Sequence, residues 1–117
     1  MNKKDKGELY NTAWTHWGSS MQLDMLIEEM AELTQSILKA RRNTSTFSHG
    51  MFGEIADVLV CLEQVETRLK MRPRPCNAIV GDNGNDWDTV LDIKEEKLAR
   101  LKERLVWSMK RKTPVEE

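Results

Sequence analysis

Two pairs of acids have the spacing that metal chemistry needs. Glu29 and Glu32 lie three residues apart in LIEEMAELTQ, and Glu54 and Asp57 lie three apart in GEIADVLVCLEQV. Residues i and i+3 share one surface of a helix, so each pair projects side by side. Asp57 is embedded in IADVLVCL, with apolar neighbours on both sides where a solvated surface is not expected. Gln22, Met25, Glu29, Glu32 and Ser36 likewise form one stripe beside an apolar stripe of the same helix. Four carboxylates converging there would repel one another and resist desolvation. A divalent cation removes both costs, and an all-oxygen ligand set selects a hard ion, Mg²⁺ or Mn²⁺. Glu63/Glu66 and Glu95/Glu96 lack that apolar context and are expected to be solvated.

The elements that must position these acids read as nearly all helix. A first helix spans 7–17 with Gly18 as its C-cap, and Ser19 with Gln22 has the pattern of a capping box opening a helix to Arg42. Its apolar stripe is Leu26, Met30, Leu33 and Ile37. The polar break 43–48 precedes a third helix over 50–70, with Ile55, Leu59, Leu62 and Leu69 inward and His49 at its start. Pro73 and Pro75 stop that helix, and 71–88 forms a long loop. Thr89 is expected to cap a final helix with the stripe Leu91, Leu98, Leu101, Leu105 and Met109, and 110–117 is a frayed tail. The expected architecture is a single all-α domain over 1–117, four-helix-bundle-like and oligomeric.

Other chemistries fit poorly. Asp82, Asp86 and Asp88 alternate as in a calcium loop, but Trp87 occupies the position that needs Gly and Ile93 that of the closing Glu. Cys61 and Cys76 form no CxxC, and with only His16 and His49 they make no zinc pattern; Cys61 reads as a buried thiol. No GxxxxGK[ST] is present, and no nucleophile triad. With 18 basic and 19 acidic residues the formal net charge is −1, which argues against a dedicated nucleic-acid binder. No apolar run approaches the roughly 20 residues of a membrane span, and MNKKDKGELY leads into no signal-like apolar segment, so the cytosol is the expected compartment.

ExxE, 21 intervening residues and then ExxD resemble the signature of the MazG-like all-α nucleoside triphosphate pyrophosphohydrolases, especially their short stand-alone members from phages and bacteria. The resemblance is firm over residues 17–70 and looser over 91–106. It implies that Glu29, Glu32, Glu54 and Asp57 hold Mg²⁺, that Glu29 or Glu32 orients the attacking water, and that a nucleoside triphosphate is hydrolysed to monophosphate and pyrophosphate. Lys39, Lys97 and Arg104 would then meet substrate phosphates. It implies a homodimer or homotetramer as well. Leu101 stands where many relatives carry Asn, and Cys61 where some carry an aromatic residue, which weakens any transfer of base or sugar specificity. A dUTPase or phosphoribosyl-ATP pyrophosphatase activity would use the same metal site. A non-catalytic helical regulator of nucleotide or nucleic acid would instead use KARR (39–42) and KRK (110–112).

Trp14 and Trp17 share a face of the first helix, placed either to stack on a nucleobase or to anchor a core or dimer interface. Gln22 either contacts substrate or completes the capping box. Trp17, Gln22, Lys39 and Lys97 are thus the candidates for substrate contact. Met21, Met25, Met30 and Met51 are read as core packing. With the four metal acids set aside, the remaining charge is a mildly basic frame, suited to a polyphosphate.

Overall fold

In the computed structural model, which describes residues 1–74 and 83–112, the protein is all-α. Four helices follow in order: α1 (Lys3–Trp17), α2 (Ser19–Arg42), α3 (His49–Lys70) and α4 (Asp86–Lys112). The chain divides into two compact units, Met1–Leu69 and Lys70–Glu117. Among the described residues, no helix is long and apolar enough to cross a membrane.

Local chemistry sets the ends of the helices in the first unit. Asn2 caps α1 by accepting from the Asp5 amide at 2.8 Å, so the helix begins at Lys3, four residues before the expected start. Gly18 ends α1 and caps α2 in a single residue, at φ 86°, where an L side chain would be strained. With so short a link, the Ser19–Gln22 capping box does not form. The Ser19 hydroxyl accepts the Trp14 indole N–H instead, at 2.8 Å. Ser45 N–H to Ala40 O and Thr44 N–H to Arg41 O close α2 in a Schellman arrangement, which holds Thr44 in the left-handed region at φ 57°. Ser48 then caps α3 through the Met51 amide.

The covered faces differ from those read off the periodicity. On α2 the less exposed line is Gln22, Leu26, Glu29, Leu33, Ser36 and Ala40, while Met30 and Ile37 face solvent. On α3 it is Met51, Ile55, Val58, Cys61, Val65 and Leu69, and Leu59 and Leu62 are exposed. Of the four methionines read as core, Met51 is buried and Met21, Met25 and Met30 are exposed. Tyr10, Ala13 and Trp14 are the buried contribution of α1, which packs on α2. Glu63, expected to be solvated, ties α1 to α3: the Tyr10 hydroxyl donates to it at 3.1 Å and the Lys6 ammonium lies 3.6 Å away. This rotation of the two faces carries Glu29 and Glu54 to half-buried positions between the helices.

In the second unit α4 begins at Asp86, not at Thr89. Asn85 and Asp88 form a reciprocal capping box: the Asn85 side chain accepts the Asp88 amide at 3.0 Å, and Asp88 accepts the Asn85 amide at 2.9 Å. The ends of the preceding segment meet in an antiparallel bridge between Pro73 and Asn85, flanked by Arg74 N–H to Gly84 O and Asp86 N–H to Arg72 O. Arg72 pairs with Asp86 at 2.9 Å and Arg74 with Asp92 at 3.2 Å. Asp86 and Asp88 are therefore engaged in an ion pair and a cap, while Asp82 and Cys76 lie outside the described residues. The expected stripe of α4 is solvent-facing: Leu91, Leu98, Leu101, Leu105 and Met109 are all exposed.

Candidate metal centre

The short 43–48 connection folds α3 back beside α2, so their acid pairs come to the same level. One carboxylate oxygen from each of Glu29, Glu54 and Asp57 lies within 4.8 Å of the others. Ligand bonds of about 2.1 Å to a shared Mg²⁺ need only small side-chain movements from that spacing. Glu32 is outside this group of three but adjoins it, within hydrogen-bonding reach of both Glu29 and Glu54. The four acids read from the sequence thus come together as three convergent carboxylates and one flanking carboxylate.

The site is electrostatically unbalanced without a cation. Glu29 Oε2 and Glu54 Oε2 are buried and have no hydrogen-bond partner among the described residues. Burial raises the pKa of Glu29, and the charges of Glu32, Asp57 and Glu54 raise it further. Glu54 is raised for the same reasons, by burial first and then by Glu32 and Asp57. Cys61, one helical turn beyond Asp57, is buried, and its thiol is pushed up by burial and then by Glu29 and Asp57. Unpartnered carboxylate oxygens in an all-oxygen set are what a hard dication satisfies, so the residues present fit Mg²⁺ or Mn²⁺.

A pH dependence follows. Folding raises the affinity of Glu29 and Glu54 for protons, so the metal-free fold loses stability as pH rises from the ordinary value of 4.5 through the raised values. A cation held by these acids would need both groups ionised and would bind more tightly across the same window. The rise in thermal midpoint produced by a fixed Mg²⁺ concentration is expected to be smaller at pH 5 than at pH 7.5. An equal rise at both would contradict this coupling.

Beside the acids lies an open cleft of about 1000 Å³, with Glu32 and Glu54 at one end. Lys39, the expected phosphate contact, is among its lining residues. Arg42, named from the sequence only as part of the KARR contacts of the regulator alternative, also lines it, and sequence reasoning missed Asn43, Ser45, Ser48 and Gly50. The signal was present, in a basic helix end followed by a serine-rich cap, but it acquires meaning only when the two helix ends meet.

No family model, curated protein or solved structure matches the chain. The functional reading therefore rests on the residues and their arrangement.

The remaining candidates separate clearly. Gln22 is 2% exposed, and its amide donates to Ala13 O at 3.2 Å. It joins α2 to α1 and is not open to a substrate. Trp14 is buried, its indole N–H bound to Ser19, so it serves the core and not a base. Trp17 is exposed and meets the His16 ring edge-on, with centroids 5.3 Å apart. Lys97 and Arg104 are exposed on α4, in the second unit.

Proposed function

We propose that the protein is a divalent-metal-dependent nucleoside triphosphate pyrophosphohydrolase of the MazG-like all-α type, acting in the cytosol. The observation that carries this reading is the convergence of Glu29, Glu54 and Asp57, two of them with buried oxygens unpartnered among the described residues, next to an open cleft that Glu54 and Glu32 line. Glu29, Glu54 and Asp57 would hold Mg²⁺. When bound, the ion supplies neutralisation of phosphate charge and Lewis-acid polarisation at phosphorus.

Glu32 is left to handle the nucleophile. It lines the cleft, lies outside the convergent three, and is within hydrogen-bonding reach of Glu29 and Glu54. Its carboxylate orients a water and takes its proton as the water oxygen bonds to the α-phosphorus. The bond from that phosphorus to the α–β bridging oxygen breaks, and pyrophosphate leaves with the electron pair. Between the two acids named from the sequence for this role, the arrangement favours Glu32 over Glu29.

The test is pyrophosphate release from a panel of nucleoside triphosphates, canonical and damaged, with dUTP and phosphoribosyl-ATP included, plus Mg²⁺. Turnover of at least one substrate that is abolished by EDTA is expected. No turnover of any of them would overturn the reading and leave a non-catalytic role.

We also infer a homo-oligomer. Leu23, Ile27, Met30 and Ile37 form a second apolar stripe on α2, exposed in the single chain together with Leu59 and Leu62 of α3. Contiguous apolar surface of this kind is ordinarily covered by a partner. Sedimentation should report a dimer or tetramer of the 13.6 kDa chain, and a monomer at micromolar concentration would contradict the inference.

A further inference from the structure

Helix α4 is about 40 Å long, and every residue from Thr89 to Trp107 is exposed. A helix in a folded protein owes most of its stability to the packing of its apolar face. Here four leucines of that face stand in the open: Leu91, Leu98, Leu101 and Leu105, the last two 58% and 57% exposed. Leu91, Leu98 and Leu105 are seven residues apart and Leu101 falls between the last two, the spacing of a seam between two helices. Trp107 lies on the opposite side, its ring already under the Arg111 guanidinium at 4.6 Å, and is not part of this seam.

Exposed leucines alone do not say what covers them. The charges do. Residues 86–96 carry five acids and one base, whereas 97–112 carry seven bases and one acid. Asp86 and Asp92 are held by Arg72 and Arg74. Glu95 and Lys102 have no ion-pair partner among the described residues. The surface complementary to a helix acidic at one end and basic at the other is the same helix reversed. Glu95 and Lys102 lie seven apart along one edge of the leucine seam. In an antiparallel pair with Leu98 against Leu101 of a second copy, Glu95 faces Lys102 of that copy, and two-fold symmetry repeats the contact. A parallel pair instead sets Lys97 against Lys102 of the second copy and aligns like-charged halves throughout. The antiparallel pair has a like-charge contact too, Lys97 near Arg104 of the second copy, at an outer edge where both long side chains reach solvent.

We propose that α4 pairs antiparallel with α4 of a second copy of this chain, through the seam of Leu91, Leu98, Leu101 and Leu105. This interface is distinct from the apolar stripe of α2 and α3, and it does not depend on the hydrolase reading.

Sedimentation equilibrium of the intact protein and its variants tests the pairing. Wild type is expected to assemble, and Leu101→Glu to halve the assembled mass, weakening association on the order of 10²-fold. Glu95→Lys and Lys102→Glu keep the seam and provide variants should Leu101→Glu not fold. Each is expected to weaken association about fivefold, and the two changes together to restore it. Residues seven apart on one helix do not touch, so restoration reports a contact between copies. A monomeric wild type overturns the proposal. So does Leu101→Glu that assembles as wild type while Ile27→Glu, on the α2 stripe, does not. Tighter association in Lys102→Glu shows a parallel pair, and two weakened single variants without restoration show another occupant; either result overturns the antiparallel pairing. Pyrophosphate release bears on none of these outcomes, so the pairing and the hydrolase reading fail separately.

Discussion

Glu54→Gln is expected to lower pyrophosphate release by on the order of 10²-fold or more, while raising the thermal midpoint of the metal-free protein. The two effects have one cause. Glu54 is half-buried, has an unpartnered oxygen, and sits against Glu32 and Asp57, so its charge opposes the fold when no cation is present. Gln keeps the shape, removes the charge and offers an amide N–H to Glu32. The same change would take away one of the three proposed anionic ligands and weaken the field that would hold a dication. An acid retained for structure would behave oppositely, with its replacement lowering the metal-free midpoint. A merely solvated acid would change neither quantity by much. Pyrophosphate release and the midpoint in EDTA, measured on one preparation of the variant, separate these three cases. Unchanged release, or a lowered midpoint in EDTA, would contradict the assignment of Glu54.

Much of this arrangement was legible before the fold was known, and the reason is physical. The limits of α2 follow from Gly18 and the polar run beginning at Asn43, residues whose backbone preferences act locally. The acid pairs were legible because their three-residue spacing survives any rotation of the helix that carries them. Which face is covered was not. Helix α2 carries two apolar stripes, Leu26/Leu33 and Leu23/Ile27/Met30/Ile37, and periodicity cannot say which one a neighbour will cover. Tertiary partners decide it: Gln22 bonds to α1, and Glu63 is drawn to Tyr10 and Lys6. The Asn85–Asp88 cap was present in the sequence as a capping-box pair, but residues 71–88 were read as a loop and Thr89 as the cap. Arg42, Ser48 and Gly50 became site residues only through the meeting of two helix ends across residues 43–48.

Mg²⁺ is expected to stabilise the intact protein, and Asp57→Asn to remove that gain. A ligand that binds only the folded state at a hundred times its dissociation constant adds about 2.7 kcal/mol, or roughly 10 °C in midpoint for a domain of this size. Asp57 is the exposed member of the convergent three, so Asp57→Asn alters little packing while taking away an anionic ligand. The variant should fold, with its midpoint insensitive to Mg²⁺. Thermal unfolding of wild type and Asp57→Asn across a Mg²⁺ titration is the most direct measurement, because it requires no knowledge of the substrate. The account predicts a saturable rise for wild type and a flat response for the variant. A wild-type midpoint indifferent to both Mg²⁺ and Mn²⁺, or an equal rise in Asp57→Asn, would contradict it.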